Sequence, residues 1–266
     1  YRPGEGWKLL LRGLEEQTWP VHRLIVMNTG EENWEAAYEK TTIPMEVHHL
    51  TREEFDHGKT RDQAARMSQA DYLLFMTQDA LPEDRYLIET LVEAIEQDKK
   101  IGAAYARQLP REDCRLMEQY TRQFNYPEKS RAKWLADLPE LGIKTYFCSN
   151  VCAMYKRELY LQLGGFVKKT IFNEDMIFAG GLIQKGYGVA YAAEAKVVHS
   201  HNYSAIQQFH RNFDLAVSQA DHPEVFDGIR SEGEGIRLVK KTAGWLCRQG
   251  KPWLVIQLVW QSGWKY

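Results

Sequence analysis

Two adjacent carboxylates, Glu174 and Asp175, are the side chains of this sequence best suited to proton transfer. They stand on a loop after the glycine pair Gly164-Gly165, and an apolar run ending at His199 follows later. A carboxylate in this position can remove the proton of a hydroxyl group as that group attacks a carbon atom. The alternative is that both acids cap a helix predicted over residues 176–185, where negative charge is favoured. We expect one of the two to act as a cap, with Glu174 as the cap or a contact to the acceptor.

A metal site is suggested by Asp79, which follows the apolar run at residues 72–76. A carboxylate just past a buried strand can hold a hard cation that takes its other ligands from water and substrate phosphates. His199 and His201 close the apolar run at residues 197–198, and histidine is a frequent metal ligand. The alternatives are that Asp79 caps the helix predicted from Pro82, or its turn, and that the histidines are structural.

Anion binding is suggested by the segment Asp56-His57-Gly58-Lys59-Thr60-Arg61. Its glycine permits close backbone approach, and the amides at the start of a helix attract negative charge. A solvated loop is the alternative, because the pattern alone is a weak signal. Asn28-Thr29 offers further polar groups after the apolar run at residues 24–27.

These residues stand at the ends of predicted strands. Short apolar runs indicate buried strands at 24–27, 72–76 and 101–106, and helical spacing at 7–17, 60–69 and 82–96 alternates with them. This alternation predicts an α/β fold with a largely parallel sheet. Because ligands bind outside the carboxyl ends of such strands, Asn28-Thr29, Thr77-Gln78-Asp79 and the loop after Met154 should meet in one crevice. Residues 110–139 are interpreted as a long excursion or lid.

Composition narrows the class of protein. The 266 residues have a formal net charge of −2, so no overall basic field attracts nucleic acid. The four cysteines lack the spacing of a zinc site or a disulfide scaffold, which favours a reduced, cytoplasmic protein. We find no apolar run of transmembrane length. Tyr1-Arg2-Pro3-Gly4 is typical of the turn after a strand, so we expect a further strand before it.

The last residues carry an aromatic stripe. If residues 252–266 are helical, Trp253, Trp260 and Trp264 share one face with Ile256. Tryptophan favours the headgroup layer of a membrane, and nearby lysines and arginines favour anionic lipid. Packing against the rest of the protein or against a second copy in a homodimer is the alternative. We therefore predict a catalytic domain over residues 1–220 and a C-terminal helical extension over 221–266.

As a set, the motifs resemble glycosyltransferase family 2, the inverting enzymes of GT-A type that use nucleotide sugars. The resemblance covers roughly residues 1–220. It rests on five segments in this order: Tyr72 to Asp79, Leu163-Gly164-Gly165-Phe166, Asn173-Glu174-Asp175, Gly186-Tyr187 and Val198-His199. It implies a Rossmann-like three-layer α/β sandwich.

The resemblance also implies roles for single residues. Asp175 matches the catalytic base, whereas Asp79 and His199 match ligands of a divalent metal, Mg²⁺ or Mn²⁺. One departure is Thr77, which stands where the family's metal motif has its first acid. The implied nucleotide-sugar contacts are Arg2, Asn28, Thr29, His57, Gly58, Arg61, Gln78 and Asp79. The implied contacts to the acceptor or sugar are Asn150, Glu174 and His201.

Within the family, the chain resembles the bacterial rhamnosyltransferases. The shared features are Thr77-Gln78-Asp79-Ala80, His57-Gly58-X-Thr60-Arg61, Phe147-Cys148-Ser149-Asn150 and His199-Ser200-His201-Asn202-Tyr203. They imply dTDP-L-rhamnose as donor and a growing cell-wall or surface polysaccharide, free or lipid-linked, as acceptor. The protein would then be cytoplasmic or held peripherally at the inner face of the plasma membrane. Two alternatives from other classes are a catalytically silent nucleotide-sugar-binding module and a metal-dependent hydrolase.

Overall fold

Eight strands and eleven α-helices build the part of the chain that the computed structural model describes, residues 3–229 and 232–263. The strands are β1 (Leu24–Thr29), β2 (Met45–Leu50), β3 (Tyr72–Met76), β4 (Leu81–Pro82), β5 (Ile101–Leu109), β6 (Arg131–Lys133), β7 (Cys152–Lys156) and β8 (Gly188–Val198). The helices are α1 (Glu5–Glu15), α2 (His57–Met67), α3 (Leu87–Glu96), α4 (Leu116–Asn125), α5 (Leu138–Leu141), α6 (Arg157–Gln162), α7 (Glu174–Gln184), α8 (Ala205–Ala220), α9 (Pro223–Phe226), α10 (Glu232–Arg248) and α11 (Leu254–Gly263).

The central sheet is mixed and has the order β3-β7-β5-β8-β4, with β6 paired to β8 as well. Its two longest strands, β5 and β8, are parallel, and β7 runs antiparallel between β3 and β5. Consequently β3, β5 and β8 point in the same direction. Their carboxyl ends lie at one edge of the sheet, where Asp79 and His199 follow them.

Strands β1 and β2 form a separate parallel pair. A cavity of about 1140 Å³ lies between β1 and β3 and is lined by consecutive residues of both strands. At the carboxyl ends of the strands the cavity reaches Asn28, Thr29, Thr77 and Gln78. These two strand ends therefore border one cavity, as predicted, whereas the meeting of Asp79 and the loop after Met154 in the same crevice stays a prediction.

Apolar side chains are buried on both faces of the central sheet, which gives three layers. Alternate residues of β5 enter opposite cores, as Ala103 and Tyr105 do on one face and Ala104 and Ala106 on the other. One core is rich in aromatic rings, including Tyr155 from β7. The other contains the apolar faces of α1 and α3. The predicted α/β sandwich is confirmed.

Two local predictions were wrong. The helix expected from Pro82 begins only at Leu87, because Leu81 and Pro82 pair with Val198 and Val197 at the edge of the sheet. Residues 110–139 are also more regular than a lid, since they contain α4 and the sheet strand β6. Periodicity within the segment did not reveal pairing with β8.

The C-terminal helices pack on the rest of the protein through α4. The Tyr120 ring of α4 lies 5.2 Å from the Trp245 ring of α10. Val225 and Phe226 of α9 lie in the aromatic core, so this part of the predicted extension is docked on the α/β sandwich. The boundary near residue 220 stays a prediction.

Candidate active site

Asp79, His199 and His201 converge at the carboxyl ends of β3 and β8. Asp79 Oδ2 lies 3.5 Å from Nε2 of His199 and 3.3 Å from Nε2 of His201. Two atoms that bind one cation at about 2.1 Å and near a right angle are about 3 Å apart, so the spacing fits a shared metal ion. Among the described residues, these three side chains have ligand atoms close enough together to hold one metal ion, all within 4.8 Å of one another. His201, predicted as a sugar or acceptor contact, thus joins the metal cluster.

The protonation states of this cluster also suit a cation. Burial opposes ionisation of Asp79, but the hydrogen bond and charge of His199 outweigh it and hold the pKa of Asp79 well below its ordinary value. Burial, helped by His199, lowers the pKa of His201. At neutral pH the cluster therefore offers an ionised carboxylate and a neutral His201 imidazole, the forms that bind metals.

The orientation of His199 is fixed by Gln108, a residue that sequence reasoning missed. The Gln108 side-chain oxygen lies 3.1 Å from His199 Nδ1 and also accepts a hydrogen bond from Arg122. Because an amide oxygen only accepts, the proton of His199 belongs on Nδ1. In the neutral imidazole Nε2 is then the nitrogen that could bind a metal, in place of its hydrogen bond to Asp79.

Asp175 is held in the first turn of α7. Asn173, the residue before α7, has φ 78°, a left-handed conformation that asparagine tolerates, and this turn starts the helix. One carboxylate oxygen of Asp175 accepts the backbone N–H of Asn150 and the other accepts that of Met176, both at 2.8 Å. Asp175 therefore has a fixed orientation and also satisfies an amide at the helix start.

The electrostatic surroundings of Asp175 favour proton transfer. Burial, followed by the neighbouring charge of Glu174, raises the pKa of Asp175 to about 7. A base whose pKa lies near the working pH combines an available ionised form with useful basicity. Asp175 is thus the described carboxylate with the properties of the predicted base.

Glu174 is buried, and its hydrogen bonds lie inside the chain. Its Oε1 accepts from Asn150 Nδ2 at 2.8 Å and lies 3.2 Å from Arg61 Nη1. The Asn150 oxygen in turn accepts from the Tyr155 hydroxyl at 2.9 Å. Glu174 and Asn150 therefore hold Asp175 in place, whereas their contact with acceptor or sugar stays a prediction.

The segment from Asp56 to Arg61 forms the first turn of α2. Asp56 Oδ1 accepts the backbone N–H groups of Gly58 and Lys59 at 2.9 and 2.8 Å, so the chain itself caps these amides. A Cβ on Gly58 would lie 1.9 Å from the Val167 carbonyl oxygen, so the glycine is required by close packing of the backbone. A nucleotide contact through Gly58 stays a prediction.

Polar groups of the predicted nucleotide site line the cavity between β1 and β3. Asn28, Thr29, Arg61 and Gln78 all border it. The Asn28 amide donates to the Gly30 carbonyl at 3.0 Å, whereas its buried Oδ1 has no partner among the described residues. A buried acceptor of this kind fits a donor group of a ligand. Arg2 lies outside the described residues.

A series of hydrogen bonds, with one step along the backbone, connects the group of Asp79, His199 and His201 to Asp175. Gln108, which holds His199, donates from Nε2 to Ser149 Oγ at 3.0 Å. The next residue, Asn150, binds Asp175 through its backbone. Asp79, His199 and Asp175 are therefore parts of one site. Gln108 lies just after the strand predicted at residues 101–106. Because the strand ends were expected to carry the site, this position is the one signal by which the sequence could have indicated Gln108.

The chain is similar to proteins of known activity. The model of "Glycosyl transferase family 2" matches residues 6–164. The O-antigen chain rhamnosyltransferase RfbN of Salmonella typhimurium is 38% identical over 258 residues, which cover 96% of this chain and 81% of that protein. The O-antigen chain rhamnosyltransferase WbaN of Salmonella anatum is 36% identical over 252 residues, which cover 93% of this chain and 79% of that protein.

Solved structures show the same fold at low sequence identity. A mannosyltransferase from Pyrobaculum calidifontis, in complex with GDP-Man and Mn²⁺, superposes with a TM-score of 0.64 at 16% identity over 98% of this chain and 71% of that one. TarS (residues 1–349) of S. aureus with UDP-GlcNAc gives a TM-score of 0.56 at 12% identity over 100% of this chain and 86% of that one. These neighbours confirm the predicted GT-A type of fold. The family match and the two curated relatives show that the chain belongs to glycosyl transferase family 2 and is a glycosyltransferase.

Proposed function

We propose that this glycosyltransferase moves L-rhamnose from dTDP-L-rhamnose to a hydroxyl group of a growing surface polysaccharide, free or lipid-linked. The observation that carries the proposal is Asp175, whose pKa is raised to about 7 by burial and by Glu174 and which is tied to the Asp79 cluster through Gln108 and Asn150. The names of the two Salmonella relatives support rhamnose and an O-antigen chain as the sugar and the acceptor class.

In the proposed reaction Asp175 accepts the proton of the acceptor hydroxyl. The acceptor oxygen forms a bond to the anomeric carbon while the bond from that carbon to the diphosphate breaks, and the electron pair leaves with the diphosphate. Attack from the face opposite the leaving group inverts the anomeric centre. Asn150 supports the step because its N–H orients the Asp175 carboxylate.

Asp79, His199 and His201 are the residues that would hold the divalent metal. The metal would supply positive charge to the departing diphosphate. His201 provides the ligand that Thr77 cannot, since Thr77 replaces the first acid of the family's motif. Because two imidazole nitrogens are softer ligands than the oxygens Mg²⁺ prefers, we propose that the site favours Mn²⁺.

We also propose that α11 rests on an anionic membrane surface. None of the described helices combines the length and apolarity needed to cross a membrane. Trp253, Ile256 and Trp260 are 64%, 79% and 68% exposed on one side of this region. Residues 235–266 contain no Asp or Glu but carry the cations Arg237, Lys240, Lys241, Arg248, Lys251 and Lys265. Exposed tryptophan beside a purely basic segment fits anionic headgroups better than a second copy of the same positive surface. Trp264 lies outside the described residues.

Product analysis tests the proposed reaction. The protein is incubated with Mn²⁺, a polysaccharide primer and dTDP-L-rhamnose, with UDP-GlcNAc and GDP-Man as alternative donors. Rhamnose attached to the primer supports the proposal, and transfer of another sugar corrects the donor. Release of free sugar without primer would favour a hydrolase. Nucleotide binding without turnover of any donor would favour a silent binding module.

A further inference from the structure

Arg211 of α8 is held between two aromatic rings. Its guanidinium carbon lies 5.0 Å from the centre of the Phe172 ring and 4.9 Å from that of Tyr203. Both distances are within the range of attractive cation–π contacts. The guanidinium therefore has a defined place although the residue is exposed.

No carboxylate neutralises this cation within the described part of the protein. Other arginines near the site do have acidic partners, as Arg61 has Glu174 and Arg122 has Glu118. Aromatic rings position a guanidinium but leave its N–H groups available, and these match the oxygens of a phosphate. A fixed and unneutralised guanidinium is thus suited to an external anion.

The rings that hold Arg211 belong to opposite halves of the site. Phe172 precedes the acidic loop and lies 6.5 Å from the His57 ring. Tyr203 lies 5.0 Å from the ring of His201, whose Nε2 is 3.3 Å from Asp79. Arg211 therefore stands between the base side and the metal side of the crevice.

Arg211 also acts electrostatically on His57. Burial is the main reason why the pKa of His57 is lowered, and Arg61 and then Arg211 contribute in the same direction, against Glu174 and Asp56.

We propose that Arg211 binds the diphosphate of the donor on the side opposite the Asp79 cluster. This inference rests on the proposed transfer from a nucleotide sugar. When the bond between the anomeric carbon and the diphosphate oxygen breaks, the electron pair moves to that oxygen. Arg211 stabilises the added negative charge through N–H donation, while Asp175 receives the acceptor proton.

Calorimetry on three variants of the full chain tests this contact. Arg211→Gln removes the charge and Arg211→Lys keeps it without the planar fork. Lys185→Gln removes a charge at the far end of α7, about 15 Å along the helix from Asp175. With Mn²⁺ present, dTDP, UDP and GDP are titrated and the tightest is used. We expect Arg211→Gln to weaken its binding about 10- to 100-fold. The affinity of Arg211→Lys for this diphosphate should lie between those of the wild type and Arg211→Gln. The affinity of Lys185→Gln should equal that of the wild type.

The nucleoside of that tightest diphosphate, observed by NMR, separates a phosphate contact from a general loss of pocket shape. The proposal requires that Arg211→Gln bind this nucleoside as the wild type does, because a nucleoside has no phosphate. Equal loss of nucleoside and nucleoside diphosphate would overturn it, as would unchanged binding of the diphosphate in a folded variant. If the wild type binds none of the three diphosphates, the proposed function itself fails and this inference with it.

Discussion

Gln108 and His199 lie 91 residues apart in the sequence, yet the Gln108 Oε1 is 3.1 Å from His199 Nδ1. This contact selects the imidazole form whose Nε2 can bind a metal. Since Gln108 also reaches Ser149, one buried side chain links the metal cluster to the loop that orients Asp175. The relationship leads to the first prediction.

Gln108→Met should lower Mn²⁺ affinity about 10- to 100-fold, because residues that orient a metal-binding histidine typically contribute this much. Electron paramagnetic resonance measures this Mn²⁺ affinity directly, independently of activity. Ser149→Ala is the matched control, since it removes the partner of Gln108 Nε2 but leaves the His199 contact. Wild-type Mn²⁺ affinity in Gln108→Met would contradict the assigned role.

Asp79→Asn should reduce binding of dTDP in Mn²⁺ to the level seen with chelator, because it removes the charged member of the cluster. His201→Gln should show a smaller loss, since Asp79 and His199 remain. Calorimetry with and without Mn²⁺ measures both. Asp98→Asn, an exposed acid beyond the end of α3, serves as control. Metal-dependent binding that survives in Asp79→Asn would exclude this cluster as the metal site.

Asp175→Asn should lower the rate of transfer about 10²- to 10⁴-fold, the usual contribution of a general base. Nucleotide binding should remain near the wild-type level, because Asp175 is bonded to Asn150 and Met176 and belongs to the acceptor side. Single-turnover transfer and calorimetry measure the two quantities. Turnover within a factor of two or three of the wild type would remove Asp175 from the role of base.

The rate should rise with pH through about 7, because Asp175 acts when ionised and its pKa is raised to that value by burial and by Glu174. Glu174→Gln removes the neighbouring negative charge, so the acid limb of the normalised pH profile should move to lower pH. A limb unchanged in this variant would show that another group controls it.

Stability should change in the opposite sense. The folded protein holds the Asp175 proton up to about pH 7, whereas an unfolded chain releases it near 4. Between these values the folded state binds more protons, so this residue's contribution to stability falls as pH rises. Asp175→Asn should therefore flatten the decrease in melting temperature across that window. An equally steep decrease in the variant would assign it to other groups.

Replacing Trp253 and Trp260 together by Ser should abolish flotation with anionic liposomes, because these exposed rings would enter the headgroup layer. Trp19→Ser changes another exposed tryptophan and serves as control. Neutral liposomes should bind the wild type more weakly, since the basic C-terminal segment has no anionic partner there. Equal flotation of wild type and double variant would exclude this face. If the wild type is a dimer that does not float and the double variant is a monomer, the face is a dimer contact.

The sequence by itself determined the positions of several strands and the kinds of chemistry that follow them. Short runs of apolar residues predicted β1, β3 and β5. Asp79 and His199 follow β3 and β8, as expected. The acidic pair was recognised because Asn173, Glu174 and Asp175 are adjacent. Such features depend on neighbours along the chain, which a single sequence displays directly.

The tertiary structure decided the roles that depend on distant partners. It gave Glu174 and Asp175 different roles. Glu174 contacts Asn150 and Arg61, whereas burial raises the pKa of Asp175. It brought His201 to Asp79 and set Gln108 against His199. Burial and hydrogen bonding across such separations arise only when the sheet is assembled, because residue type and spacing do not specify which side chains then face one another.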